Sequence, residues 1–129
     1  MAADTAEGFA RSFALGWLAQ DTATLGQLFA EDADFLSLTG DWAEGRAAIE
    51  RTLKAEFKGA FARARLVTGR AKLRMLGPGA AVVHQRFVLS GVLNADGSDG
   101  GRIATVLMAV VTRLGPGWVA VSAQFTAES

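Results

Sequence analysis

The chain has 129 residues, half of them hydrophobic, and 13 basic against 13 acidic side chains leave it without net charge. That is enough for one domain with a real core, spanning 1–129. The absence of Cys excludes thiol chemistry, disulfides and thiolate metal sites, and the absence of Tyr removes any phenolic acid or oxyanion donor.

From the start, MAADTAEGF has neither the basic end nor the apolar stretch of a secretory signal. No apolar run approaches the roughly 18 residues that span a bilayer, so a soluble cytoplasmic protein without membrane attachment is expected. Asp4 followed by Glu7 resembles a capping box. Phe9, Phe13 and Trp17 then recur every four residues and predict an amphipathic helix with an aromatic stripe. Asp21 is a candidate cap for a second, short helix carrying Leu25, Leu28 and Phe29. Glu31, Asp32 and Asp34 form an acidic seam between that helix and a short strand over 34–39, with Asp34 expected to point inward and Arg46 to balance the seam. The spacing of these acids lacks the register of a hard-cation loop, so no metal site is expected. Gly40-Asp41 turns the chain, and Gly45 opens a third helix with Ile49, Leu53 and Phe57 on one stripe.

The period then changes. Residues 64–76, 80–90, 102–114 and 117–126 read as four strands rich in Val, Leu and Ala. The tetrapeptide Leu-Gly-Pro-Gly at 76–79 and 114–117 supplies two hairpin turns, and 94–101 is a longer connection. Three helices followed by a strand meander predict an α+β fold with the helices on one face of the sheet. Charge is segregated: residues 1–56 hold ten acids and four bases, residues 57–129 three acids and nine bases. Without interleaved aromatics this reads as complementary layers, and no nucleic-acid partner is expected.

The stretches Leu28–Asp34, Thr39–Ile49, Val82–Phe87 and Trp118–Thr126, in this order, resemble the nuclear transport factor 2-like superfamily and within it the SnoaL-like branch. The resemblance implies a cone: a strongly curved antiparallel sheet whose concave face, closed by three N-terminal helices, holds a pocket. It also implies a homodimer joined through the sheets. In the ketosteroid isomerases of that superfamily, a first-helix Tyr, a first-strand Asp and a late-strand acid do the chemistry. The positions resembling the first two here are Phe13 and Ser37, and residues 103–127 contain no acid. That mechanism is therefore not expected.

Alternation along 82–89 sends Val83, Gln85, Phe87 and Leu89 one way and Val82, His84, Arg86 and Val88 the other. With Phe87 in the core, His84 and Arg86 lie outside. On the last strand, Val119, Val121, Ala123 and Phe125 read as an outer apolar face, and Ser122 and Gln124 as groups projecting into the cone. The expected ligand-binding set is Phe13, Trp17, Phe35, Ser37, Trp42, Gln85, Phe87, Ser122 and Gln124. Its chemistry suits a small apolar or aromatic molecule with a few polar groups, with no cofactor implied. Asp34 and His84 are the candidate proton-handling residues if the protein is an isomerase- or cyclase-type enzyme; a protein–protein module is the further alternative.

Overall fold

The structure is a computed structural model that describes residues 2–128. Its elements are α1 (Phe9–Ala19), α2 (Thr22–Gly26), β1 (Phe29–Leu36), β2 (Trp42–Glu44), α3 (Arg46–Lys58), β3 (Arg65–Gly77), β4 (Ala80–Ser90), β5 (Ile103–Leu114) and β6 (Gly117–Ala127). The strands form one open sheet in the order β2-β1-β6-β5-β4-β3. Antiparallel pairing was expected throughout; β1 instead runs parallel to β6. The long return through β2, α3 and the meander makes this parallel pairing sterically natural.

Helix α1 begins at Phe9, later than a capping box at Asp4 and Glu7 would place it. Gly8 is its N-cap without a side-chain cap, and the Gly8 N–H donates to Thr5 Oγ1 at 2.9 Å. Asp21 does cap α2, accepting from the Thr24 N–H at 3.1 Å. Gly45, at φ 88°, starts α3 with a backbone that a side-chain-bearing residue rarely adopts. Its N–H donates to Ala33 O at 2.7 Å, tying the helix start to β1.

Chain periodicity and burial agree for the helices. Phe9, Phe13 and Trp17 from α1, Leu25 and Leu28, and Ile49, Leu53 and Phe57 from α3 are all buried against the inner face of the sheet. That inner face carries Ala33 and Phe35 of β1, Val83, Phe87 and Leu89 of β4, and Leu107, Ala109 and Val111 of β5.

The last strand departs from simple alternation. Val110 pairs with Ser122 while Val111 pairs with Ala120, so Val121 is an extra residue on β6, a β-bulge. Beyond it the faces are exchanged. Ala123 and Phe125 point into the core, and Ser122, Gln124 and Thr126 point out. The expected outer apolar face and inner polar face of β6 are therefore reversed over its second half.

The acidic stretch is also placed differently. Glu31 and Asp32 lie within β1 and are exposed, so they form no helix-to-strand seam. Asp34 pairs across to Glu44 and to Ser122 on the outer face, and does not point inward. Arg46 forms no ion pair with these acids among the described residues. Its Nε and Nη2 donate to Phe29 O at 3.2 and 2.7 Å, on a part of β1 that β2, paired only with 34–36, does not reach.

Candidate functional site

Aromatic rings fill the space between helices and sheet. Phe13 meets Phe125 edge-on at 5.7 Å, Phe125 meets Phe87 at 6.1 Å, and Phe29 meets Phe35 at 5.4 Å. Trp17 packs on Phe57 at 5.1 Å and on Phe61 at 5.8 Å. Phe13, Trp17 and Phe35 are thus wholly buried core residues, and none lines an open cleft. Phe125, turned inward by the bulge, takes up part of the volume in which a ligand was expected. The Trp17 Nε1–H is buried and meets no acceptor among the described residues.

An open cleft lies to one side of this core, between α1 and the β3–β4 end of the sheet. It measures about 390 Å³ and is lined by Glu7, Ala10, Arg11, Ala14, Leu15 and Leu18 of the α1 side, Leu66 and Thr68 of β3, and Gln85 and Phe87 of β4. Its origin is steric: α1 presents the small Ala10 and Ala14 toward the strands, so helix and sheet do not close. Leu15 and Leu18 remain 57% and 49% exposed at its lip. Of the nine residues expected to bind a ligand, Gln85 and Phe87 line this cleft.

Gln85 owes its position to a second bulge. Thr68 pairs with Phe87 and Ala71 with Gln85, so Gly69 and Arg70 loop out of the β3 ladder. A side chain at Gly69 would press on the Arg86 carbonyl at 3.2 Å, which explains the glycine. The Gln85 Nε2 donates to Arg86 O and Gly69 O at 2.9 and 3.0 Å, with Arg70 O at 3.4 Å. Three carbonyls around one terminal atom fix it as the nitrogen, so the amide oxygen is the acceptor left for other partners.

The remaining expected residues fall elsewhere. Trp42 is 70% exposed, outside the cleft beside α1, and its Nε1–H donates to Asp34 Oδ1 at 3.0 Å. With Asp34, Ser122 and Gln124 it borders a depression of about 330 Å³ on the outer face of the sheet, the opposite side from the helices. His84 is also on the outer face, as alternation predicts, but on β4. Asp34 and His84 are separated by strands β6 and β5, at least about 14 Å across the sheet. They share no site.

Ser37 is buried in a polar cluster that the sequence reading missed. Thr39 Oγ1 donates to Glu56 Oε2 at 2.6 Å, the Ser37 and Thr39 hydroxyls are 3.1 Å apart, and the Asp41 N–H donates to Ser37 Oγ at 3.2 Å. Burial raises the Glu56 carboxyl above its ordinary pKa, the Thr39 and Ser37 hydrogen bonds oppose this, and the negative Asp41 adds a smaller push upward. Glu56 lies three residues after Leu53 and seven after Ile49, on the apolar stripe of α3, and that spacing was the available signal. The cluster fastens the β1–β2 turn to α3.

No family profile matches the sequence, and no curated protein does. Solved structures do match. A protein with a cystatin-like fold from Caulobacter vibrioides superposes with a TM-score of 0.85 at 16% identity, over 95% of this chain and 87% of its own. The chain has the cystatin-like, NTF2-like fold. An NTF2-like protein from Novosphingobium aromaticivorans gives a TM-score of 0.75 at 19% identity, covering 92% of this chain and 77% of that one. A second protein from that organism, provisionally named a scytalone dehydratase, gives 0.80 at 15% identity over 95% and 81%. At these identities the likeness carries the NTF2-like architecture, which hosts unrelated functions. Among the described residues, no helix is long and apolar enough to cross a membrane.

Proposed function

We propose that the protein is a cytoplasmic, dimeric small-molecule-binding or accessory protein, and that its ligand occupies the cleft between α1 and the β3–β4 end of the sheet. The observation that carries this reading is the cleft itself: a volume of about 390 Å³ with Leu15, Leu18, Leu66 and Phe87 as apolar walls and few polar groups. That is the usual composition of a small-molecule site. The Glu7 carboxylate and Arg11 guanidinium are its charged groups, and Gln85 adds an amide. None of these reproduces the donor, base and acid set of the isomerases, and the Asp34 and His84 candidates lie on the other side of the sheet. The ligand class is a small, largely apolar or aromatic molecule. Thermal stabilisation across aromatic polyketides, steroids and fatty acids tests this, and a panel without a single stabilising compound would sink it.

The second copy is assigned to the outer sheet face. Val106, Met108 and Val110 of β5 and Val82 of β4 make an apolar strip there. One cross-strand row reads Arg74, Val82, Val110, Ser122, Asp34, Glu44. A two-fold axis parallel to the strands lays the basic end of that row on the acidic end of its copy; an axis across the strands would oppose like charges.

The filled aromatic interior favours one other reading, a protein–protein interaction module that uses the same outer face for a different partner. A monomer in solution that no small molecule stabilises would favour it.

A further inference from the structure

On the outer face, at the β3 bulge, Arg70, Lys72, His84 and Arg86 surround a pit of about 290 Å³ whose lining is completed by Ala71, Val106 and Gln85, the last also reaching the inner cleft. We infer that this pit is an anion-binding site for a dianionic oxyanion group, a phosphate monoester or a dicarboxylate, separate from the cleft on the inner face.

Lys72 and His84 are direct cross-strand partners, and Arg86 follows two residues along β4 on the same face. Arg70, in the bulge, faces Arg86 across the ladder, and like charges so placed are mutually unfavourable unless an anion lies between them. Edge-strand cations are commonly explained as protection against sheet-to-sheet pairing. Two of these groups, however, sit on β4, which is an interior strand. Among the described residues only Arg86 has an ion-pair partner, Glu128 at 3.1 Å, and that pair is solvent-exposed. Arg70 and Lys72 have none. The chain contains no carboxylate from residue 57 to 95, so nothing on β3 or β4 competes for these cations.

Backbone geometry removes a further obstacle. A bulge turns carbonyl oxygens out of the ladder, and bare carbonyls beside the pit would repel an anion. The Gln85 Nε2 takes up the Gly69 and Arg86 carbonyls from beneath, with Arg70 O slightly farther. The ionisable side chains at the pit are two guanidinium groups, one ammonium and an imidazole, with no carboxylate among its lining residues. A concavity lined by one sign of charge concentrates its field on an anion, and guanidinium groups suit the two-oxygen edge of phosphate or carboxylate. The pit lies on the β3 side of the outer face and shares only Val106 with the apolar strip assigned to a second copy.

His84 is the only histidine, so its ring protons give an isolated reporter by NMR. With pH and ionic strength held constant, full-length protein is titrated with inorganic phosphate, with succinate, and with chloride as the screening control. The expected result is a saturable shift of the His84 signals with phosphate, succinate or both, the two arms telling phosphate-type from carboxylate ligands. Chloride should give no saturation. In Arg70→Ser/Lys72→Ser the affinity should fall at least 10-fold, while Arg113→Ser, outside the pit, should stay within twofold. The inference is overturned by a response equal to that of chloride, by an undiminished response in the double variant, or by His84 shifts that appear on concentrating the protein without added anion. The last result would mean that a second copy occupies the pit. None of these readouts depends on the inner cleft, so failure here leaves the proposed function standing, and the reverse holds too.

Discussion

Replacing Phe125 by Ala tests the bulge at Val121, on which the whole inner architecture rests. Phe125 is 1% exposed and meets both Phe13 and Phe87. Truncating such a ring removes its burial and leaves a void that rigid aromatic neighbours cannot close. The cost is about 4 kcal/mol. For a chain of this size that is a fall in Tm of roughly 12–20 °C, or about 2 M in the urea midpoint with the m-value unchanged. Phe125→Leu, which leaves a smaller void, should cost about 1–2 kcal/mol and keeps the test readable if the alanine variant is too unstable to study. The neighbour Gln124 points outward, so Gln124→Ala should stay within about 0.5 kcal/mol of the parent. Urea unfolding followed by Trp fluorescence and far-UV circular dichroism measures all three. If Gln124→Ala costs more than Phe125→Ala, the strand faces are not exchanged and the account of the interior is wrong.

Three further outcomes are expected. Because burial raises the Glu56 pKa, the folded state holds that proton more tightly, so the stability tied to it is complete below the ordinary glutamate pKa and is lost as pH rises through the folded value. Glu56→Gln should therefore gain on the parent between pH 4 and pH 7 in urea midpoints, and a pH-independent gap would remove the buried-carboxyl reading. Met108→Glu, at the centre of the outer apolar strip, should turn a dimer into a monomer by sedimentation while leaving the circular dichroism unchanged; an unaltered mass would place the contact elsewhere. Asp34→Asn and His84→Ala should each leave cleft-ligand stabilisation within twofold in apparent affinity, and its loss in either variant would bring the outer face into the binding site.

The fold was legible in the sequence because two periods dominate it. The four-residue spacing of Phe9, Phe13 and Trp17 and of Ile49, Leu53 and Phe57 marked the helices, and two Leu-Gly-Pro-Gly turns separated the long strands. Alternation also placed Gln85 and Phe87 inside and His84 and Arg86 outside. What local pattern cannot carry is a one-residue insertion in a ladder. Val121 fits a strand as well as its neighbours do, yet as a bulge it exchanges Ser122 and Gln124 with Ala123 and Phe125. The parallel pairing of β1 with β6 joins residues almost ninety positions apart, and no neighbouring residue signals it. Glu56 was visible as a position on a buried stripe, but its charge argued for the surface. Only the Ser37 and Thr39 hydroxyls, brought over by the β1–β2 turn, explain how it is tolerated. The cleft was not legible because it arises from what Ala10 and Ala14 lack.

Filling the cleft from inside the protein is the most direct test of its role. Ala14→Phe puts a ring into open volume, so the fold should tolerate it, while the ligand loses its space. In a thermal-shift panel of aromatic polyketides, steroids and fatty acids, the parent should be stabilised by at least one compound, by about 2.7 kcal/mol at a hundredfold excess over Kd. Ala14→Phe should lose that stabilisation and keep its own Tm near the parent's. Equal stabilisation of parent and variant would contradict the assignment of the ligand to this cleft.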